Sequence, residues 1–228
     1  MNKKTPLEQL SCTNCSVYNC RTQSSQFPGF CLTTKDNGDH PITNDIEEIK
    51  QHLRDDNQDA VIAKASAQVE GLFYGKLTRV EEIIEFAGRI GAKKIGIATC
   101  AGLINESKIF ADILTAKGLE HYSAICKVGA VDKTEIGLSE EDKIRPGGYE
   151  AMCNPILQAR ILNYHQTDLN VVVGLCVGHD SLFIKYSDAI VTTLVTKDRI
   201  MGHNPAAALY TAHSYYKRLM QEKRQVSK

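Results

Sequence analysis

Eight cysteines in 228 residues fall into two sets. Cys12, Cys15, Cys20 and Cys31 stand close together, separated by two, four and ten other residues. A Cys-x2-Cys step puts two thiolates in one tight turn that can grip a single metal ion or one corner of a cluster. Cys20 and Cys31 can complete the four from a return loop through Pro28 and Gly29. Packing as ordinary buried cysteines is the alternative. It fails because residues 11–41 are rich in Cys, Ser, Thr, Asn, Pro and Gly and too poor in aliphatic side chains to bury four thiols. The expectation is therefore a four-cysteine metal site. Four thiolates suit zinc and iron–sulfur clusters alike, and this uneven spacing matches neither a regular zinc ribbon nor the tight bacterial ferredoxin run. A 4Fe–4S cluster is favoured, with zinc at the N-terminal site as the alternative, because of the second set.

Cys100, Cys126, Cys153 and Cys176 each fall at the edge of a regular element. Cys100 closes a strand in Gly-Ile-Ala-Thr-Cys-Ala-Gly, Cys126 nears the end of a second, and Cys176 closes a third before Val-Gly-His-Asp. Cys153 precedes Asn-Pro at a helix start, where the helix dipole favours thiolate. If the sheet is parallel, these ends share one edge, and that edge is where open α/β folds bind ligands. Cys100, Cys126, Cys153 and Cys176 are then expected to hold a second cluster with one iron left open, Cys126 serving as a ligand or as a sulfur carrier. Cys126, Cys176, His179 and Asp180 are the residues expected to carry chemistry, with His179 or Asp180 moving protons. Around them lie Lys127, Lys197, Asp198, Arg199 and His203. The plainer alternatives are apolar packing for Cys126 and Cys176, helix capping for His179 and a solvated loop for residues 197–199.

The elements that must position these residues are legible from periodicity. Ile46, Ile49 and Leu53 share a helical face in a pattern that starts at Thr43, and Val61, Ala65, Val69 and Leu72 share a second. Thr78-Arg-Val-Glu81 is a capping box that opens a third helix through Ile83, Ile84, Ala87 and Ile90, stopping at Gly91. Strand and helix then alternate, with strands at Lys94–Thr99, Tyr122–Val128, Asn170–Cys176 and Ile190–Val195. Helices follow at Ile104–Lys117, Tyr149–Asn163, Asp180–Tyr186 and Asn204–Met220, the last with Pro205 in its first turn. The expected fold is α/β, a parallel Rossmann-like sheet with crossover helices. The expected organisation is a Cys-rich metal-binding segment over 1–42, a helical region over 43–92 and a parallel α/β domain over 93–228.

Lys plus Arg and Asp plus Glu both count 27, so the net charge is zero and no overall field draws the chain to nucleic acid. The apolar run at Val171–Val177 is too short to span a bilayer, and Met1–Leu10 has no signal-peptide core. Reduced cysteines in a cytoplasmic protein are the expectation, rather than four disulfides of a secreted scaffold. No G-x-G-x-x-G or Walker loop is present. The partner expected is a small-molecule substrate or a redox partner.

The strings GIATCAGL, AICKVGAVDK, EAMCNPILQARILN, TDLNVVVGLCVGHDSLF and VTKDRIMGHNPAAALY resemble the family called domain of unknown function 1847, described as predicted metal-binding proteins of anaerobic bacteria and archaea. The resemblance runs from Cys12 to the final helix and covers all eight cysteines with His179 and Asp180. The family's second segment often carries two adjacent cysteines. Ile125 stands at the first of those positions here, so that thiol is dispensable. The resemblance implies metal without naming a reaction. Desulfuration or reduction of a small molecule by an iron–sulfur centre is the leading expectation. A non-enzymatic zinc or cluster module that senses, stores or delivers metal is the first rival. A metal-independent thiol enzyme using Cys176 with His179 is the second.

Overall fold

The computed structural model describes residues 10–22, 24, 26–33 and 45–221. The expected helix start at Thr43 and the boundary at 42/43 lie outside them. The chain divides into two compact units, residues 1–67 and 68–228. The first holds short 3-10 turns at Cys12–Asn14 and Asn19–Arg21, helix α1 (Ile46–His52) and the first part of α2 (Gln58–Phe73). The second holds α3 (Arg79–Arg89), taken in the sequence as part of the helical region over 43–92, together with the sheet.

Strands β1 (Lys94–Thr99), β2 (Glu120–Ile125), β3 (Leu169–Val173) and β4 (Ile190–Val195) form one sheet in the order β2-β1-β3-β4, with every pairing parallel. The Rossmann-like α/β expectation holds. β1 and β4 have the expected bounds. β2 and β3 are shorter than their apolar runs, ending at Ile125 and Val173, because the chain turns at Cys126 and at Gly174. α4 (Ile104–Ala116), α5 (Pro155–Tyr164) and α6 (His179–Tyr186) are the crossovers. The last helix, α7, covers only Ala206–Tyr210; the Thr211 hydroxyl then bonds back to the Ala207 carbonyl at 2.7 Å and the chain continues as turns.

Parallel strands are buried on both faces, and two apolar clusters result. On one face Ile95, Ile97, Val171 and Val173 meet Ile83 and Ala87 of α3 and Phe110 and Leu114 of α4. The α3 capping box forms as read, with the Thr78 N–H donating to the Glu81 carboxylate at 2.7 Å. On the other face Ala98, Ala124 and Val172 meet Ala159 and Leu162 of α5 and Phe183 of α6. The result is a three-layer α/β/α arrangement. Buried Gln158 of α5 donates to the carbonyls of Thr99 and Ala124, 3.1 and 2.7 Å away, tying the ends of β1 and β2 together. Among the described residues no helix is long and apolar enough to cross a membrane.

Gly174 ends β3 with φ +69°, and a Cβ there would sit 1.9 Å from Leu103 Cδ1. Gly118 has φ +73° with nothing within 4 Å of its Cβ position. Gly118→Ala should therefore cost only backbone strain, about 1–2 kcal/mol. Gly174→Ala adds overpacking and should cost on the order of 3 kcal/mol or more. Urea unfolding midpoints check this, and equal losses at the two positions would show that Leu103 yields freely.

Candidate functional site

Sheet order decides where a site can form. The chain leaves β1 towards β2 on one side and returns to β3 on the other, so the switch point is the crevice beyond the ends of β1 and β3. Two cysteines are pinned there by the sheet itself. The Cys100 N–H donates to the Val173 carbonyl at 3.1 Å, and the Cys126 N–H donates to the Thr99 carbonyl at 2.8 Å, each extending a ladder one residue past its strand. Cys153 arrives separately. The Asn154 N–H donates to the Cys126 carbonyl at 2.7 Å, while the Asn154 side chain caps α5 by accepting from the Leu157 N–H at 3.1 Å. Cys153 thus directly precedes the cap residue: α5 opens at Pro155 rather than at Tyr149 as expected, because Asn154 caps it and Pro155 takes the first helical position.

The Cys126 thiol packs between Cys100 and Cys153, both of which act on its proton. It also accepts from the Ala101 N–H at 3.3 Å. With one proton of its own, Cys126 serves its two neighbours in turn, so the three sulfurs form one proton-sharing row. Hydrogen bonding from Cys126, then the Gly102 N–H and the Lys197 ammonium, bring the Cys100 thiol down to about 5. Hydrogen bonding from Cys126, then the charges of Lys127 and His179, bring Cys153 down to about 5. Cys126, between two sulfurs that favour thiolate, is pushed far up. Cys100 and Cys126 are buried and Cys153 is partly exposed.

Each outer sulfur has its own cation. Lys197 reaches Cys100, Lys127 reaches Cys153, and Arg199 Nη2 donates to Cys176 Sγ at 3.0 Å while also feeling the charges of Cys100 and Cys153. Two glycines clear the path of Lys197. A Cβ on Gly174 would lie 3.7 Å from its Cδ, and one on Gly102 would lie 3.2 Å from its Nζ. Among the described residues none of these three cations pairs with a carboxylate. All four strand-end cysteines are therefore brought within one field.

The other residues singled out in the sequence separate into two kinds. The His179 ring lends charge to Cys153 rather than pairing with Cys176, and its Nδ1 is buried without a hydrogen-bond partner. Asp180, in the first turn of α6, accepts from the Ser181 N–H at 2.8 Å. Asp198 accepts from the N–H groups of Ile200 and Met201, and His203 Nδ1 accepts from the Asp198 N–H, so these two build the loop that carries Lys197 and Arg199. The amides of Ala101 and Gly102 were not singled out; a small-residue step directly after a strand-end cysteine is the signal for them.

The loop from β2 to α5, residues 127–153, is held by ion pairs. Lys143, its side chain 3% exposed, contacts Asp132 at 2.9 Å and Glu140 at 2.8 Å, and Lys133 contacts Glu150 at 2.7 Å. Asp132 also bridges to Ala151, and the Met152 N–H donates to the Val131 carbonyl at 2.8 Å, so the loop closes directly above Cys153.

In the N-terminal unit Cys12, Cys15, Cys20 and Cys31 line a single cavity of about 60 Å³ with Tyr18 and Phe30. The Tyr18 N–H donates to Cys15 Sγ at 3.5 Å. None of the eight cysteines is in a disulfide. The soft donor set fits a thiophilic metal. It is not drawn into a closed ligand shell: among the described residues no three His, Cys, Asp or Glu side chains converge as ligands to one ion.

A model of the family described as "Protein of unknown function (DUF1847)" matches residues 38–194, a span that contains the four strand-end cysteines and His179 but not Cys12–Cys31. The uncharacterized protein MJ0455 of Methanocaldococcus jannaschii is 49% identical over 193 residues, which is 85% of this chain and 95% of that relative. No solved structure gives a significant match.

Two measurements check the geometry. Peptide-resolved labelling with iodoacetamide should find a Cys153 rate that holds down to about pH 6 and falls towards pH 5, where its thiolate takes up a proton. Lys127→Met should move that fall upwards. A rate that climbs only above about pH 8, as for an ordinary thiol, would remove the cation from the account. For the loop, Asp132, Glu140 and Glu150 are held below the usual carboxylate range by hydrogen bonds from backbone amides and from Lys133 or Lys143. Their contribution is complete above the unfolded carboxylate value of about 4 and is lost as pH falls through the lower folded values. Acid below about pH 4, or Lys143→Met at neutral pH, should speed amide exchange over residues 127–153 and leave the strands protected. Exchange unchanged in both cases would show that the ion pairs hold nothing.

Proposed function

The chain belongs to the DUF1847 family, and we propose that it is a metal-binding thiol protein whose N-terminal cysteines hold an iron–sulfur cluster and whose strand-end cysteines react with a small molecule. The observation that carries the reading is the row Cys100, Cys126 and Cys153 at the switch point, with Lys197 and Lys127 beside its outer sulfurs. Nucleophilic or redox sulfur chemistry needs thiolate at neutral pH, a neighbouring proton carrier and a route in. Here the cations and the Gly102 amide favour thiolate at the outer sulfurs, Cys126 carries the proton, and Cys153 is the partly exposed member. Reduction or desulfuration of a small molecule suits such a centre.

At the N-terminus Cys12, Cys15, Cys20 and Cys31 would hold the metal. A 4Fe–4S cluster there would supply one-electron chemistry or a rigid knot, and zinc would supply only the knot. A second reading puts a cluster at the strand ends as well, on Cys100, Cys153 and Cys176 with Cys126. It is favoured by Arg199, which feels three of those sulfurs at once. A non-enzymatic role in holding or delivering metal is the remaining alternative.

Anaerobically purified protein should contain iron and acid-labile sulfide and absorb in the visible range. Serine at Cys12, Cys15, Cys20 and Cys31 should remove that iron. Serine at Cys100, Cys153 and Cys176 should leave it in place, whereas loss of a second complement of iron would install the strand-end cluster instead. A colourless protein holding only zinc, or no metal, would falsify the iron–sulfur assignment.

A further inference from the structure

Three thiols in one row, with different exposure and different hydrogen-bond roles, can do more than present a nucleophile. We propose that the row is a two-electron dithiol centre acting on small disulfides, in which Cys153 attacks, Cys126 resolves and Cys100 accepts the proton; it rests on reading the strand-end cluster as the reacting centre.

The roles follow from placement. Cys153 is the only member of the row that is not fully buried, so an entering disulfide meets it first. Its Lys127 neighbour sits where the leaving sulfur would take up negative charge. Cys126 is 2% exposed and packs in one cluster with Cys100 and Cys153, its carbonyl bonded to the amide next to Cys153, which keeps it from the first attack and puts it beside the mixed disulfide once that forms. Cys100 is fixed by the β1–β3 ladder on the far side of Cys126, with the Gly102 amide and Lys197 to support its charge. It is the one group in the row free to receive the Cys126 proton after Cys153 has become bonded to the substrate.

The electron count closes without a further reactant. The Cys153 thiolate attacks R–S–S–R′; a bond forms between its Sγ and one substrate sulfur, the substrate S–S bond breaks, and R′S⁻ leaves. Cys126 then passes its proton to the Cys100 thiolate and attacks Cys153 Sγ, forming the Cys126–Cys153 disulfide and expelling RS⁻. One substrate disulfide is reduced to two thiolates and two protein sulfurs are oxidised. A cellular dithiol would restore the pair by the reverse exchange. Lys127, Lys197 and Arg199, none of them paired with a carboxylate among the described residues, favour a substrate that carries anionic groups.

The test uses the full chain, reduced and then exposed under argon to cystine, which carries carboxylates, or to bis(2-hydroxyethyl) disulfide, which is uncharged. Differential alkylation and peptide mapping report the fate of each cysteine, and iron and sulfide are assayed on the same samples. The wild type should form a Cys126–Cys153 disulfide, faster with cystine. Cys126→Ser should stop at a mixed disulfide on Cys153. Cys100→Ser should still form that adduct but resolve it more slowly, on the order of a hundredfold. A first adduct on Cys100 or Cys176, or a Cys100–Cys126 disulfide, overturns these roles while leaving a reactive thiol centre. Four strand-end cysteines inert to both disulfides and to iodoacetamide overturn the centre as well. The wild-type mapping decides the matter even if a serine variant fails to fold.

Discussion

A parallel sheet with β1 between β2 and β3 imposes one constraint from which the rest of the site follows. The ladders on both sides of β1 continue one residue past the strands, so the backbones of Cys100 and Cys126 are hydrogen-bonded members of the sheet although their side chains lie beyond it. Neighbouring strands stand about 4.8 Å apart, and a slip of one residue would turn every side chain to the other face. The placing of these two sulfurs is thus inherited from the register that buries Ile95, Ile97, Val171 and Val173. Gln158 reinforces it from below by bonding to two strand-end carbonyls at once.

Charge is arranged on a finer scale than the whole molecule. The chain is neutral overall. At this edge Lys127, from the loop after β2, and Lys197 and Arg199, from the loop after β4, gather each against a sulfur. Thiolate at a buried position loses hydration, and only close donors can offset that loss. For Cys100 the donors are an amide, an ammonium and the neighbouring thiol. The same neighbours leave Cys126 as the proton holder, since two adjacent anions oppose a third. A chemically uniform set of cysteines thereby acquires distinct protonation roles from position alone.

How much of this could be read from the chain depends on where the information lies. β1, β4 and the Thr78 cap were legible because they rest on local patterns: short continuous runs of apolar and β-branched residues, and a capping box. The apolar runs through Val128 and Cys176 overstated β2 and β3, since hydrophobicity does not report where a strand loses its partner; Gly174, with its left-handed backbone, does. The final helix was overstated because Thr211, whose hydroxyl bonds back to the Ala207 carbonyl, follows a segment of good helix formers. The gathering of strand-end cysteines was legible from their shared place after strands. The partner of each sulfur was not, because Lys127, Lys197 and Arg199 are loop residues, and the path of Lys197 depends on Gly102 and Gly174 in other segments. Asp180, expected to move protons, lies in the first turn of α6 and accepts from the adjacent Ser181 N–H.

The sulfurs of the row do not belong to the same cooperative unit. Cys100 and Cys126 are held by the central ladders, whose amides open only when the domain does. Cys153 stands at the base of a loop closed by Lys133, Lys143 and their carboxylates, held by side-chain ion pairs rather than by a strand ladder. The proposed reacting row would therefore be complete only while this loop is closed. Its intrinsic reactivity and its apparent reactivity would differ by the closed fraction, so changes within residues 127–153 would tune turnover without touching a sulfur or a strand.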